Sequence, residues 1–108
     1  MSAQRKSETC NEQLERMVKN IAVDITEGKS TVKQLDSFME GVYNIEWITH
    51  QDHSYKAARL LVAGGGPNIW VNLQTNTVDG YWGADKRSYG FVDNIGLDDY
   101  LQEIHESK

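Results

Sequence analysis

"AGGGPNIWVNLQTNTVDGYWG", residues 63–83, runs three glycines and the single proline straight into two tryptophans and a tyrosine. A phosphate cradle would need a helix here. A P-loop requires a Lys-Ser/Thr pair and a helix N-terminus after its glycines, and a dinucleotide fingerprint requires G-x-G-x-x-G opening a helix. Instead Pro67 and the alternating run "NIWVNL" follow. The glycines therefore read as a tight hairpin connection, with Gly supplying positive φ and Pro67 setting the start of the next strand. We expect no phosphate site and no bound cofactor.

The remainder of the stretch reads as a second hairpin. With "QTNT" as a four-residue loop, Leu73 faces Val78, Val71 faces Gly80 and Ile69 faces Trp82, while Asn76 takes a left-handed position. That side is apolar and belongs to the core. The other side pairs Asn72 with Asp79 and Trp70 with Tyr81. Helices in a two-layer domain cover one face of the sheet only, so Trp70, Asp79 and Tyr81 are expected together on the open face. An aromatic pair there either reinforces the sheet or anchors a partner.

Upstream, Tyr43, Ile45, Trp47 and Thr49 alternate with Asn44 and Glu46 as a half-buried strand does. "HQDHS" is a polar loop, and Tyr55–Ala63 is the next strand. Before them, "TCNE" at 9–12 has the capping-box pattern, and Leu14, Met17, Val18, Ile21, Ala22 and Ile25 form one apolar stripe that ends at Gly28. Ser30 caps a shorter helix whose Val32, Leu35, Phe38 and Met39 share a face, with Gly41 as its stop. At the far end "GLDDYLQEIHE" reads as a helix with Leu97, Tyr100, Leu101 and Ile104 on one side. The expected order is two helices, a four-stranded antiparallel meander and a C-terminal helix. That is a two-layer α+β domain spanning residues 1–108, with residues 1–8 flexible.

At 108 residues the chain fits one domain, burying roughly two-thirds of its unfolded surface. No apolar run approaches the ~20 residues of a membrane span. The opening residues lack the apolar core of a secretory signal, and one cysteine cannot form an internal disulfide, so a cytoplasmic protein is expected. The formal charge of −5 is uneven: residues 1–34 hold five acids and six bases, whereas Gly90–Glu106 holds five acids and no base. No basic stripe marks direct nucleic-acid binding. The acidic end is either a solvated face or one aimed at a basic partner.

Chemistry-bearing clusters are sparse. His50, Asp52 and His53 sit in one loop, but no second cluster completes a metal site, and none is expected. Cys10 lies at a helix start near the terminus and reads as a chance surface thiol. No nucleophile–base–orienter set can be assembled, so we do not expect an enzyme. On a helical wheel Asp99, Glu103 and Glu106 line the outer side of the last helix, with Asp98 at its flank.

The run "GGPNIWVNLQTNTVDGYWGADK" resembles small acidic proteins of unassigned activity encoded on phages and integrative elements of Gram-positive bacteria. The likeness covers about residues 57–86 and brings no catalytic residue with it. It implies an accessory gene of a mobile element, a setting in which small acidic proteins often inhibit host defence, anti-CRISPR and anti-restriction proteins among them. The resulting expectation is an inhibitor acting by protein–protein interaction as a nucleic-acid mimic. Its partner would be a host protein with a basic nucleic-acid-binding surface, contacted through Trp70, Asp79, Tyr81, Asp98, Asp99, Glu103 and Glu106. The alternatives are a small-molecule pocket near Trp47, Trp70 and the glycine turn, or a structural homodimer joined through the open sheet face.

Overall fold

A computed structural model describes residues 9–107 of the chain; the expected flexibility of residues 1–8 and the exposure of the Cys10 thiol lie outside what it describes. The order is α1 (Cys10–Glu27), α2 (Val32–Met39), β1 (Asn44–Thr49), β2 (Tyr55–Ala63), β3 (Asn68–Asn72), β4 (Thr77–Trp82), β5 (Asp85–Gly90) and α3 (Leu97–Glu106). The strands form one antiparallel meander, β1-β2-β3-β4-β5. α1 lies across β4 and β5, and α3 lies on β2. The class is α+β as expected, with five strands rather than four.

The fifth strand was missed because its sequence, "DKRSYG", lacks apolar alternation. It pairs Trp82 with Asp85 across Gly83 and Ala84, and Gly83 has φ 61°. It is an edge strand exposed along most of its length, and Lys86 and Arg87 discourage pairing with another chain.

The β3–β4 register also differs. Val71 faces Val78, Ile69 faces Gly80, Trp70 faces Asp79 and Asn68 faces Tyr81. The loop is Leu73–Asn76, one residue earlier than expected, for two local reasons. Asn72 Oδ1 accepts the N–H groups of Gln74 and Thr75, turning the chain early. The Leu73 N–H donates to the carbonyl of Ala58, keeping Leu73 on the β2 side. Asn76 is left-handed at φ 56°, as the spacing predicts. Because the slip moves each partner by two positions, every side chain keeps its face.

The helix starts are locally encoded. Thr9 and Glu12 complete the capping box, with bonds of 3.0 and 3.1 Å. α2 is capped by Thr31, not Ser30, through a 3.1 Å bond from Gln34 N–H. Gly28 ends α1 in extended rather than left-handed conformation. Its glycine is required because a Cβ there would collide with Ile95 Cγ2.

Leu14, Val18 and Ile25 from α1, Leu60, Ile69, Val71 and Val78 from the sheet, and Leu97 and Leu101 from α3 are all at most 1% exposed. Each such burial contributes about 1.5–3 kcal/mol. Val32 does not join them: it is 76% exposed, whereas Leu35, Phe38 and Met39 pack against the core.

Candidate partner-binding surfaces

The open face of the sheet is a lattice of cross-strand contacts. Arg59 on β2 lays its guanidinium over the Trp70 ring, 4.4 Å from the centroid, and bonds Glu46 on β1 at 2.8 Å. Lys86 on β5 sits 5.7 Å from the centroid of Tyr81. Asp79, directly opposite Trp70, accepts a hydrogen bond from Ser88 Oγ. Trp70 and Tyr81 share this face as expected, but on the diagonal rather than directly opposite. A cation over an exposed ring contributes about 0.5–1 kcal/mol. Two bases alternate with two acids here, so the face carries no net acidic field. Arg59 and Lys86 escaped the sequence reading because the covering contacts come from neighbouring strands.

The helix layer, on the other side, is different. Asp93 anchors α3: one carboxylate oxygen accepts from Gly96 and Leu97 N–H at 3.1 and 2.8 Å, the other from Asp98 N–H at 2.9 Å. These are the orphan donors of a helix N-terminus, which favour a carboxylate. Asp98 turns toward the sheet and accepts a 2.7 Å bond from the Tyr55 hydroxyl. Burial first, then this bond, pushes the Tyr55 phenol well above the ordinary tyrosine range. His105 closes the cluster, its ring 5.3 Å from Trp47 and 5.9 Å from Tyr55. Asp98 is thus engaged in holding α3 to β2 and does not extend the acidic outer face. Glu106 receives a 3.0 Å bond from Gln102.

Asp99 and Glu103 project instead into a groove between α2 and α3, with a volume of about 340 Å³. From α2 come Val32, Leu35 and Asp36; from α3 come Asp99, Tyr100 and Glu103. The described ion pairs are Arg59–Glu46 and Arg87–Glu15, and none reaches Asp36, Asp99 or Glu103. Asp36 was invisible in the sequence as part of this surface, since only the tertiary fold sets α2 beside α3. A second groove, of about 560 Å³, lies between the end of α1 and β5, with Phe91 buried in it and Tyr89 and Val92 exposed at its edge.

The seven expected contact residues therefore split in two. Trp70, Asp79 and Tyr81 are on the open sheet face, whereas Asp98, Asp99, Glu103 and Glu106 belong to a helix on the opposite side of the domain. The pocket named as an alternative, near Trp47, Trp70 and the glycine turn, does not bring the two rings together. Trp47 faces the helices with Tyr55 and His105, while Trp70 faces away from them, because the two occupy positions of opposite parity in the paired strands. In the glycine turn Gly65 and Gly66 have φ 95° and 145°, and Gly65 N–H donates to Asn68 Oδ1 at 3.3 Å. In the histidine loop Asp52 accepts from both the N–H and the hydroxyl of Ser54, and the hydroxyl bond chiefly holds its carboxyl below the usual range. Among the described residues no group of three or more His, Cys, Asp or Glu could hold a metal ion, and no helix is long and apolar enough to cross a membrane. No family model, curated protein or solved structure matches the chain.

Proposed function

We propose that this chain is a binding protein rather than an enzyme, and that it inhibits a host defence nuclease or CRISPR complex by occupying its basic nucleic-acid-binding surface. The helix layer makes the contact, with Asp99, Glu103 and Glu106 at its centre. One observation carries the reading: most of the carboxylates without a partner lie on the helix side. Those on the sheet and at its junctions are engaged, Glu46 by Arg59, Asp79 by Ser88 and Asp98 by Tyr55. Among the described residues Asp24, Glu27, Asp36, Glu40, Asp99 and Glu103, all on the helices or their ends, have no partner; on the helices Glu12, Glu15 and Glu106 are engaged by Thr9 N–H, Arg87 and Gln102, and at the sheet edge Asp85 has no partner. Free carboxylates in water steer encounter with a basic groove and lose that advantage in salt. The resemblance to mobile-element proteins supports the choice of a defence system in the host cytoplasm as the target.

The test uses purified restriction and CRISPR nucleases of a Gram-positive host, measuring duplex DNA binding with and without this protein at low and high salt. We expect displacement of DNA that weakens with salt, and a slowed association for the Asp99→Lys/Glu103→Lys/Glu106→Lys variant. Association rates flat in salt, or equal for that variant, would sink the reading. The open sheet face supports a second reading, self-association, because Trp70 and Tyr81 are only half-buried there. Sedimentation of the pure protein separates the two.

A further inference from the structure

The groove between α2 and α3 has a composition that the proposed docking does not by itself require. Each helix contributes apolar surface and carboxylate together: Val32, Leu35 and Asp36 on one side, Tyr100, Asp99 and Glu103 on the other. Val32 is the anomaly. It stands in the first turn of α2, yet it is 76% exposed beside the half-buried Leu35 and Tyr100. A β-branched apolar side chain left in water at the mouth of a groove is surface available for burial. The three carboxylates around it find no cation among the described residues.

Apolar stems with cationic heads match that lining. Arginine and lysine lay their methylene chains along apolar surface and keep the charge at its rim. Arginine adds a planar fork suited to carboxylates and stacks on an aromatic ring. We propose that this groove is the specificity site of the acidic helix layer, and that it takes a helical segment of the partner that carries arginine and a bulky apolar residue on one face. The apolar residue covers Val32, the arginine stem lies along Leu35 and Tyr100, and its guanidinium sits between Asp36 on one wall and Asp99 and Glu103 on the other. This rests on the docking reading above and adds recognition of a particular side-chain pattern, where charge steering alone would accept any basic surface.

The test is titration of the ¹⁵N-labelled chain with a capped helical peptide carrying arginine and leucine on one face of an alanine background. A second peptide replaces leucine by serine, and a third replaces arginine by glutamate. We expect shift changes concentrated at Val32, Leu35, Asp36, Asp99, Tyr100 and Glu103, with no binding of the glutamate peptide. Val32→Ser, at an exposed position that the fold does not need, should weaken the first peptide about tenfold and leave the serine peptide unaffected. Asp36→Asn, Asp99→Asn and Glu103→Gln should each weaken it several-fold. Shifts spread evenly to Glu12, Glu15, Asp24 and Glu27, or an unchanged Kd for Val32→Ser, would overturn the groove. If the groove fails while the triple lysine variant still loses its salt-dependent association with the nuclease, the docking reading survives. If that association is flat in salt as well, both fall.

Discussion

Gly80→Ala probes how α1 rests on the sheet. Gly80 faces the helix layer opposite Ile69, and a Cβ at this position would lie 2.6 Å from Val18 Cγ2 and 2.8 Å from Leu14 Cδ1. Carbon atoms in contact settle at about 3.5–4.0 Å, so the helix would have to lift by roughly 1 Å here. Leu14 and Val18 are 0% and 1% exposed, so neither can swing out into solvent. Overpacking of this kind costs about 1–3 kcal/mol. Against it stands about 0.4–1 kcal/mol from the lower entropy of an unfolded chain carrying Ala. The net expectation is a loss of about 1–2 kcal/mol, from a total of about 5–15 kcal/mol. Urea unfolding followed by far-ultraviolet circular dichroism should show a lower midpoint with an unchanged slope. Val18→Ala removes the methyl that the new Cβ meets; alone it should cost about 2 kcal/mol in lost burial and residual space. Combined with Gly80→Ala it should cost at least about 1 kcal/mol less than the sum, since each change relieves the other. A stable Gly80→Ala variant, or strict additivity, would mean that α1 does not cross β4 at this glycine.

Gly65→Ala or Gly66→Ala should cost about 1 kcal/mol or more, because both positions hold positive φ with open space around them, so the penalty is conformational and not steric. Added nucleotide should leave the melting temperature unchanged, and a clear rise would restore the phosphate reading. Trp70→Ala combined with Tyr81→Ala should leave nuclease inhibition within a few-fold of wild type, since the helix layer faces the other way; a loss of ~2 kcal/mol or more in binding would move the interface to the sheet. Tyr55→Phe should flatten the alkaline limb of stability. The folded phenol is raised above its ordinary 10.0, so above that pH the unfolded chain sheds the proton first, binds fewer protons, and stability falls. Removing the phenol should relieve up to about 1.4 kcal/mol per pH unit, read from urea midpoints on either side of pH ~10, and parallel slopes for the two proteins would contradict the burial of Tyr55 against Asp98.

Periodicity and capping were legible along the chain because both are local. The alternation through β1, β3 and β4 put Ile45, Trp47, Ile69, Val71 and Val78 on the core face, whereas Tyr43 and Thr49, expected on the same side, are exposed; Thr9 with Glu12 marked the start of α1. The parity of side chains survived an error in register, since a slip of two residues leaves each on its own face. What the one-dimensional pattern lacked was any trace of partners brought from afar. β5 is polar on both faces, and nothing in "DKRSYG" demands burial; its pairing is supplied by β4. A helical wheel set Asp98 at the flank of the acidic side, yet it meets the hydroxyl of Tyr55, 43 residues away in sequence. The alternative of a pocket shared by Trp47 and Trp70 fails because the sheet sets them on opposite faces. The sequence by itself determined the class of domain, the core-facing side of the β3–β4 hairpin and the acidity of the last helix, because hydrophobic period and charge are read residue by residue. Only the tertiary structure decided which carboxylates remain free and that Asp36 and Val32 join Asp99 and Glu103 in one groove, because a charge is satisfied or left open by what lies across space from it.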